Sequence, residues 1–222
     1  MRLYVDPITV NSRKVLAGLD LIGASFETVH VDYFKGEQKS ASYTAINPNA
    51  ALPTLVDGDL VLWESNAILM YAADKYDNES AYPKNLRERA DINRWLLWEA
   101  SAWFPSCYTY LVENCVKPLL NQEADRDALD AENERFHKLA KILDARLSQE
   151  AWLVGAKPTI ADIAVAAPMH LYPYQKLPLE AFSNIRRWMR EGIESLPCWD
   201  RTYVGPGFSL DRALKGYAPM IN

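Results

Sequence analysis

Three short stretches in the first third of the chain hold the residue types from which a small polar ligand site is built. The first, Asp6-Pro7-Ile8-Thr9-Val10-Asn11-Ser12-Arg13-Lys14, stands where a short strand gives way to a helix. A helix amino terminus offers unpaired amides and about half a positive charge, so an anion or thiolate placed there is stabilised. Thr9, Asn11 and Ser12 each bring a further hydrogen-bond donor; the plainer reading is that Asn11 or Ser12 caps the helix. The second stretch, Leu52-Pro53, precedes a strand. In the cis form it would open the backbone amide and carbonyl of Leu52 to an extended peptide; otherwise Pro53 merely starts the strand. The third, Glu64-Ser65, begins another helix and sets a hydroxyl beside a carboxylate that can receive an ammonium group, with simple capping by Ser65 as the competing role. A peptide-like ligand with both an amine and a carboxylate would satisfy the pair.

These residues need strands and helices to bring them together, and the pattern supplies both. Leu3 to Val5 predicts a strand, and Val15, Leu16, Leu19 and Ile22 recur at helical spacing with Gly23 placed to end the helix. Phe26 to Val31 reads as a second strand, and Tyr33 to Asn47 as a long polar loop with one helical turn near Tyr43 to Ile46. Asp57-Gly58 is a hairpin turn between Thr54-Leu55-Val56 and Leu60-Val61-Leu62-Trp63, so that pair is antiparallel. A helix then runs to about Tyr76. The order is βαβ, loop, ββα, so each of the three stretches falls at a strand end or a helix start, and they converge if the strands form one sheet.

Beyond the polar linker Asp77 to Asn85, strand signals nearly vanish. A long helix carrying Ile92, Trp95, Leu96 and Trp98 is predicted to bend at Pro105 and end near Pro118, and a second runs from Ala128 to Leu147. Thr159 to Asp162 reads as a capping box for a helix Ile160 to Leu171, and Ile185 to Leu196 makes another. Two domains follow, the first mixed α/β and the second all-α.

Composition narrows the partners. With 24 basic and 29 acidic residues among 222 the formal charge is -5, which leaves no surplus to neutralise a nucleic-acid backbone or bind an anionic membrane. Three cysteines, Cys107, Cys115 and Cys198, form no disulfide framework and no Cys-x-x-Cys pair, so neither a zinc site nor dithiol chemistry is expected. Neither a signal-peptide core nor an apolar run of membrane-spanning length is present, and a cytoplasmic protein is expected.

Read together, the motifs resemble the cytosolic glutathione transferase family. The resemblance is carried by Gly36-Glu37-Gln38-Lys39, by Asn47-Pro48-Asn49-Ala50-Ala51-Leu52-Pro53-Thr54-Leu55-Val56-Asp57-Gly58, and by Leu62-Trp63-Glu64-Ser65-Asn66-Ala67-Ile68. The family shows Asn-Pro, a glycine two residues on, an aliphatic residue before proline, an Asp-Gly hairpin and Glu-Ser-x-Ala-Ile in this order. The capping segment Thr159 to Asp162 agrees as well. The resemblance implies an α/β thioredoxin-like domain over residues 1–78 that holds glutathione, and an all-helical domain over 86–222 that receives a hydrophobic electrophile.

It also implies roles. Glu64 and Ser65 match the pair that binds the γ-glutamyl amine and carboxylate, Leu52 before a cis Pro53 matches the backbone partner of the cysteinyl unit, and Gln38 and Lys39 stand where the glycyl carboxylate is held. Trp103, Phe104, Cys107, Tyr108, Met169 and Tyr172 are the expected electrophile pocket, core packing being the alternative for about half of them. Two departures stand out. Ala50 replaces the usual glycine, and no tyrosine or cysteine occupies the catalytic position. Thr9-Val10-Asn11-Ser12-Arg13-Lys14-Val15 is instead similar to serine-type members, theta- or phi-like or of a related bacterial class, with Thr9 in the serine's place and Asn11 and Ser12 as candidates if the loop shifts. The implied activity is a detoxifying transfer of glutathione, or glutathione-dependent ether cleavage, dehalogenation or peroxide reduction. A homodimer without metal is expected, and a non-catalytic glutathione or apolar-ligand binder is the alternative.

Overall fold

The computed structural model describes residues 1–204; the last part of the expected helical domain, residues 205–222, lies outside them. Two compact units are present, one formed by Met1–Tyr82 with the segment that begins at Pro197, the other by Pro83–Leu196.

In the first unit β1 (Arg2–Val5), α1 (Val10–Ile22) and β2 (Glu27–His30) form a parallel β-α-β crossover, followed by the short helix α2 (Ala41–Thr44), the hairpin β3 (Thr54–Asp57) and β4 (Leu60–Trp63), and α3 (Ser65–Lys75). The four strands lie in the order β2-β1-β3-β4, with β3 antiparallel to both of its neighbours. Thr54 pairs with Trp63 on one side and Tyr4 on the other. The carboxyl ends of β1 and β4 and the amino end of β3 therefore lie at one end of the sheet, where all three candidate stretches fall. A thioredoxin-like mixed sheet was the expectation from the motifs, and it is what the chain forms.

Burial of Leu3, Val5, Val15, Leu16, Leu19, Leu55, Ile68 and Leu69 makes the core. Two glycines act in it by different means. Gly23 ends α1 in the left-handed region at φ 78°, open without cost only to a residue lacking Cβ. Gly18 faces α3, where an added Cβ would stand 2.3 Å from Leu69 Cδ2, so α1 and α3 touch through a missing methyl. One element departs from the expected division. The helix Pro197–Arg201 packs on α1 instead of joining the helical unit: the Arg13 guanidinium lies 4.2 Å from the Trp199 ring centroid, and Arg201 pairs with Asp20.

Helices are the regular elements of the second unit, and no strand occurs among its described residues. Its first long helix is continuous in helical backbone from α4 (Leu86–Trp98) through α5 (Phe104–Leu111) to the turn α6 (Lys117–Leu119), with π-helical segments at Glu99–Trp103 and Val112–Val116. Both segments end two residues before a proline, Pro105 and Pro118. Proline has no amide hydrogen and its ring crowds the carbonyl one turn back, so a locally wider turn gives it room. Next come α7 (Arg126–Leu147), α8 (Ile160–Ala166), the turn α9 (Tyr172–Gln175) and α10 (Ser183–Arg187), which passes into a third π segment at Trp188–Gly192; we number Pro197–Arg201 α11. The capping box opens α8 as expected: Asp162 accepts from the Leu153 amide (2.9 Å) and the Thr159 amide (2.9 Å). Burial pushes its carboxyl up to about 6, against those bonds. A carboxyl raised in this way favours the folded state most below its ordinary value of 3.8, an advantage lost as pH climbs through about 6.

Ala50, in the usual place of glycine, adopts φ 51°. A left-handed alanine costs about 1–2 kcal/mol and glycine gives back part of that gain as unfolded-chain freedom. Ala50→Gly should therefore raise the unfolding free energy by about 0.5–1 kcal/mol, read from the urea midpoint. Asp162→Ala, which strands two buried amides, should lower it by about 2–4 kcal/mol at pH 7 in the same measurement.

Candidate active site

The β1–α1 junction is braced by one carboxylate. Asp6, buried, accepts from the Ile8 amide (3.1 Å) and, across the sheet edge, from the Tyr33 amide (2.9 Å), with His30 Nε2 3.8 Å away. This holds the loop before α1 to the loop after β2. Thr9 is the N-cap of α1 by position, yet its side chain makes no capping bond. Its hydroxyl is placed to donate to Asp6 O (3.0 Å) and Ser12 Oγ (2.7 Å). One hydrogen serves both, so the Thr9 proton is committed inside the chain. Ser12 is fully buried behind it.

Asn11 is half-buried and its Oδ1 accepts from Ser65 Oγ at 3.4 Å, while among the described residues its Nδ2 has no partner. That amide carries two N–H donors at the amino end of α1. Ser65 is the first residue of α3 rather than its cap, and its hydroxyl is the meeting point of two helices. It gives its proton to Asn11 and accepts from Lys14 Nζ at 3.1 Å. Lys14, only 2% exposed, also donates to Asn66 Oδ1 at 3.3 Å. The motif reading took no role from Lys14. The available signal was its spacing: Asn11, Lys14 and Gly18 fall at i, i+3 and i+7 of α1, on the face that meets α3. A buried ammonium beside Ser65 gives that position a positive charge as well as a hydroxyl.

Glu64, exposed, adopts φ 73° and ψ 109°, a conformation that costs a non-glycine residue of order 1–3 kcal/mol and clusters at ligand sites. The Leu52-Pro53 bond is cis. Leu52 is nearly buried, and among the described residues neither its amide nor its carbonyl has a hydrogen-bond partner. Buried backbone groups are paired in the great majority of cases, so this one is poised for an outside partner. Gln38 is buried in a short 3-10 turn with Oε1 accepting no hydrogen bond among the described residues, and its neighbour Lys39 is exposed.

The expected electrophile-pocket residues divide in the second unit. Trp103, Cys107 and Met169 are fully buried, Trp103 stacking on Trp98 and donating to Val165 O (3.0 Å), so these three pack the helices and offer no surface. Phe104 and Tyr108 stack on each other with Tyr108 39% exposed, and Tyr172 is half-buried. Burial and the nearby Glu194 carboxylate raise the Tyr172 phenol, which keeps it protonated. Among the described residues no three His, Cys, Asp or Glu are grouped to hold a metal ion, and no helix is long and apolar enough to cross a membrane.

Comparison with known proteins places the whole chain. Residues 1–74 match the family described as Glutathione S-transferase, N-terminal domain, and residues 105–197 the Glutathione S-transferase, C-terminal domain. The chain is 34% identical over 160 residues to Glutathione S-transferase F10 of Arabidopsis thaliana, covering 71% of this chain and 74% of that one. It is 31% identical over 192 residues to Probable glutathione S-transferase GSTF2 of Oryza sativa subsp. japonica, covering 85% and 89%. Among solved structures, glutathione transferase F7 from Populus trichocarpa superposes with a TM-score of 0.82 at 28% identity, over 90% of this chain and 96% of that one. A glutathione S-transferase-I bound with lactoylglutathione gives 0.81 at 27% identity, over 91% and 97%.

Burial raises all three thiols, Cys107 and Cys198 being the more deeply buried and Cys115 half-buried. Brief treatment of the native protein with iodoacetamide should modify Cys115 first, as mapped by peptide mass spectrometry.

Proposed function

The chain belongs to the glutathione S-transferase family, and from that membership we propose how its own residues hold and activate glutathione. It is a glutathione transferase: glutathione is its co-substrate, and transfer to an electrophile is its reaction. The observation that best supports the site reading is Leu52, a nearly buried residue with an open amide and carbonyl at the sheet edge where α1 and α3 begin. An extended tripeptide pairs there as a strand would. In this reading Leu52, before Pro53, takes the cysteinyl backbone; Glu64 takes the γ-glutamyl ammonium, and Ser65 with Lys14 its carboxylate. Gln38 and Lys39 take the glycyl carboxylate.

The sulfur then lies at the amino end of α1. A free thiol near pKa 8.5 is only about 3% ionised at pH 7, and lowering that by two units takes about 2.7 kcal/mol of preference for the charged form. One hydrogen bond to a charged group supplies about 1.5–3 kcal/mol and the helix terminus about 0.3–1 more. One donor is therefore enough. Thr9 stands at the position of the serine in serine-type members, but its proton is held by Asp6 O and Ser12 Oγ, and Ser12 itself is buried. The open Nδ2 of Asn11 supports assigning the donation to Asn11. Because a lower pKa also weakens the nucleophile, most of the acceleration comes from holding the electrophile beside the sulfur.

The helical residues supply that second site in this reading, with Phe104, Tyr108 and Tyr172 at its surface and Trp103, Cys107 and Met169 behind them. In this reading residues 1–78 are the core of the glutathione domain, and the helices between 86 and 196 carry the electrophile site. A cytoplasmic homodimer that conjugates, dehalogenates, cleaves ethers or reduces peroxides fits the family. The ultraviolet thiolate band of bound glutathione separates the three candidates. Asn11→Ala should raise the bound thiol pKa by about one to two units, while Thr9→Ala and Ser12→Ala keep most of the band at pH 7. An undiminished band in Asn11→Ala would move the role back to Thr9.

A further inference from the structure

Behind the loop that ends at Leu52 lies a buried polar cluster that no contact above uses. Tyr43 donates to Ala51 O at 2.6 Å, and its oxygen is 2.8 Å from Thr54 Oγ1. Asn47 Nδ2 donates to Ala51 O and to Thr54 Oγ1, both at 2.9 Å, while Asn47 Oδ1 accepts from the amide and the side chain of Asn49, both at 3.0 Å. Those acceptances orient the carboxamide. Since the one Tyr43 proton goes to Ala51, the Thr54 hydroxyl must donate to Tyr43 and accept from Asn47. The chain of donors is closed and both lone pairs of Ala51 O are filled. Tyr43, Asn47 and Thr54 are all buried, and burial raises the Tyr43 phenol, which keeps it a donor. Its ring is held by Val31, Leu52 and Tyr4.

The Ala51 carbonyl and the Leu52 amide are the two ends of one trans peptide plane. Two donors on the oxygen fix that plane, send the N–H out on the opposite side and, by polarising the group, strengthen it as a donor. We propose that Tyr43, together with Asn47, is a positioning residue for glutathione: by pinning the Ala51 carbonyl it aims the Leu52 amide at the ligand's cysteinyl carbonyl. This rests on the assignment of Leu52 to the cysteinyl unit.

The test compares glutathione with an analogue whose cysteinyl carbonyl is reduced to a methylene, each titrated calorimetrically against wild type and Tyr43→Phe. The variant keeps the ring and loses the donor. It should bind glutathione about three- to tenfold more weakly and bind the analogue as the wild type does. Its KM for glutathione should rise accordingly, with kcat at saturation within about twofold. An equal loss for both ligands, or no loss for glutathione, overturns the proposal. Thr54→Val, which removes the middle link but leaves both donors on Ala51, should discriminate in the same sense to a smaller degree, and it decides the matter if Tyr43→Phe does not fold. A wild type that binds both ligands equally would overturn the assignment of Leu52 itself, and this proposal with it.

Discussion

A side-chain hydroxyl has a single hydrogen to give, and the first unit of this protein is organised by where four of them go. Thr9 spends its hydrogen on Asp6 O and Ser12, Ser65 on Asn11, Tyr43 on Ala51 O and Thr54 on Tyr43. Each commitment leaves a different group open. With Thr9 occupied, Asn11 Nδ2 is the side-chain donor among the three candidates left open at the α1 terminus; with Ala51 O filled, the Leu52 amide is left open where β3 begins. In the proposed site these two donors are thus what is left over when internal demands have been met: a carboxamide and a backbone N–H rather than the Thr9 and Tyr43 hydroxyls. Such donors are already oriented before ligand arrives, so little reorganisation accompanies binding.

Much of this was legible in the chain itself. The Asp57-Gly58 hairpin, the Gly23 helix end and the capping box at Thr159 are local signals, and each stands where its pattern puts it. Ala50 at positive φ explains why its position favours glycine. What stayed hidden depends on neighbours far apart in sequence. Lys14 meets Ser65 across 51 residues, and Arg13 meets Trp199 across 186, which is why α11 returns to the first unit against expectation. The aromatic residues show the same limit. Trp103 and Tyr108 sit five positions apart on one helix, but a π-helical segment precedes α5 and shifts the faces, so periodicity alone does not say which is core and which is surface.

The helical unit spends its buried polar groups on holding irregular backbone. Gln175 is fully buried and ties three strands of chain together, donating to Pro168 O (2.8 Å) and Cys107 O (3.4 Å) and accepting from the Leu171 amide (3.1 Å). Asp144 caps α10 through the amides of Asn184 (2.9 Å) and Ile185 (3.1 Å). These ties fix the helices on which Phe104, Tyr108 and Tyr172 are carried, while the thiol of Cys107, packed beneath, is left to serve as an apolar filler.

The close approach at Gly18 has a wider consequence. Asn11 and Lys14 ride on α1 and Ser65 on α3, so in the proposed site the distance between the sulfur end and the γ-glutamyl end is the distance between two helices. That spacing is set where Leu69 enters the place a methyl group would take. The proposed site is gauged by an atom that is absent: a Cβ at position 18 makes Leu69 or the helix itself give way, and a helix that moves carries one end of the proposed site away from the other.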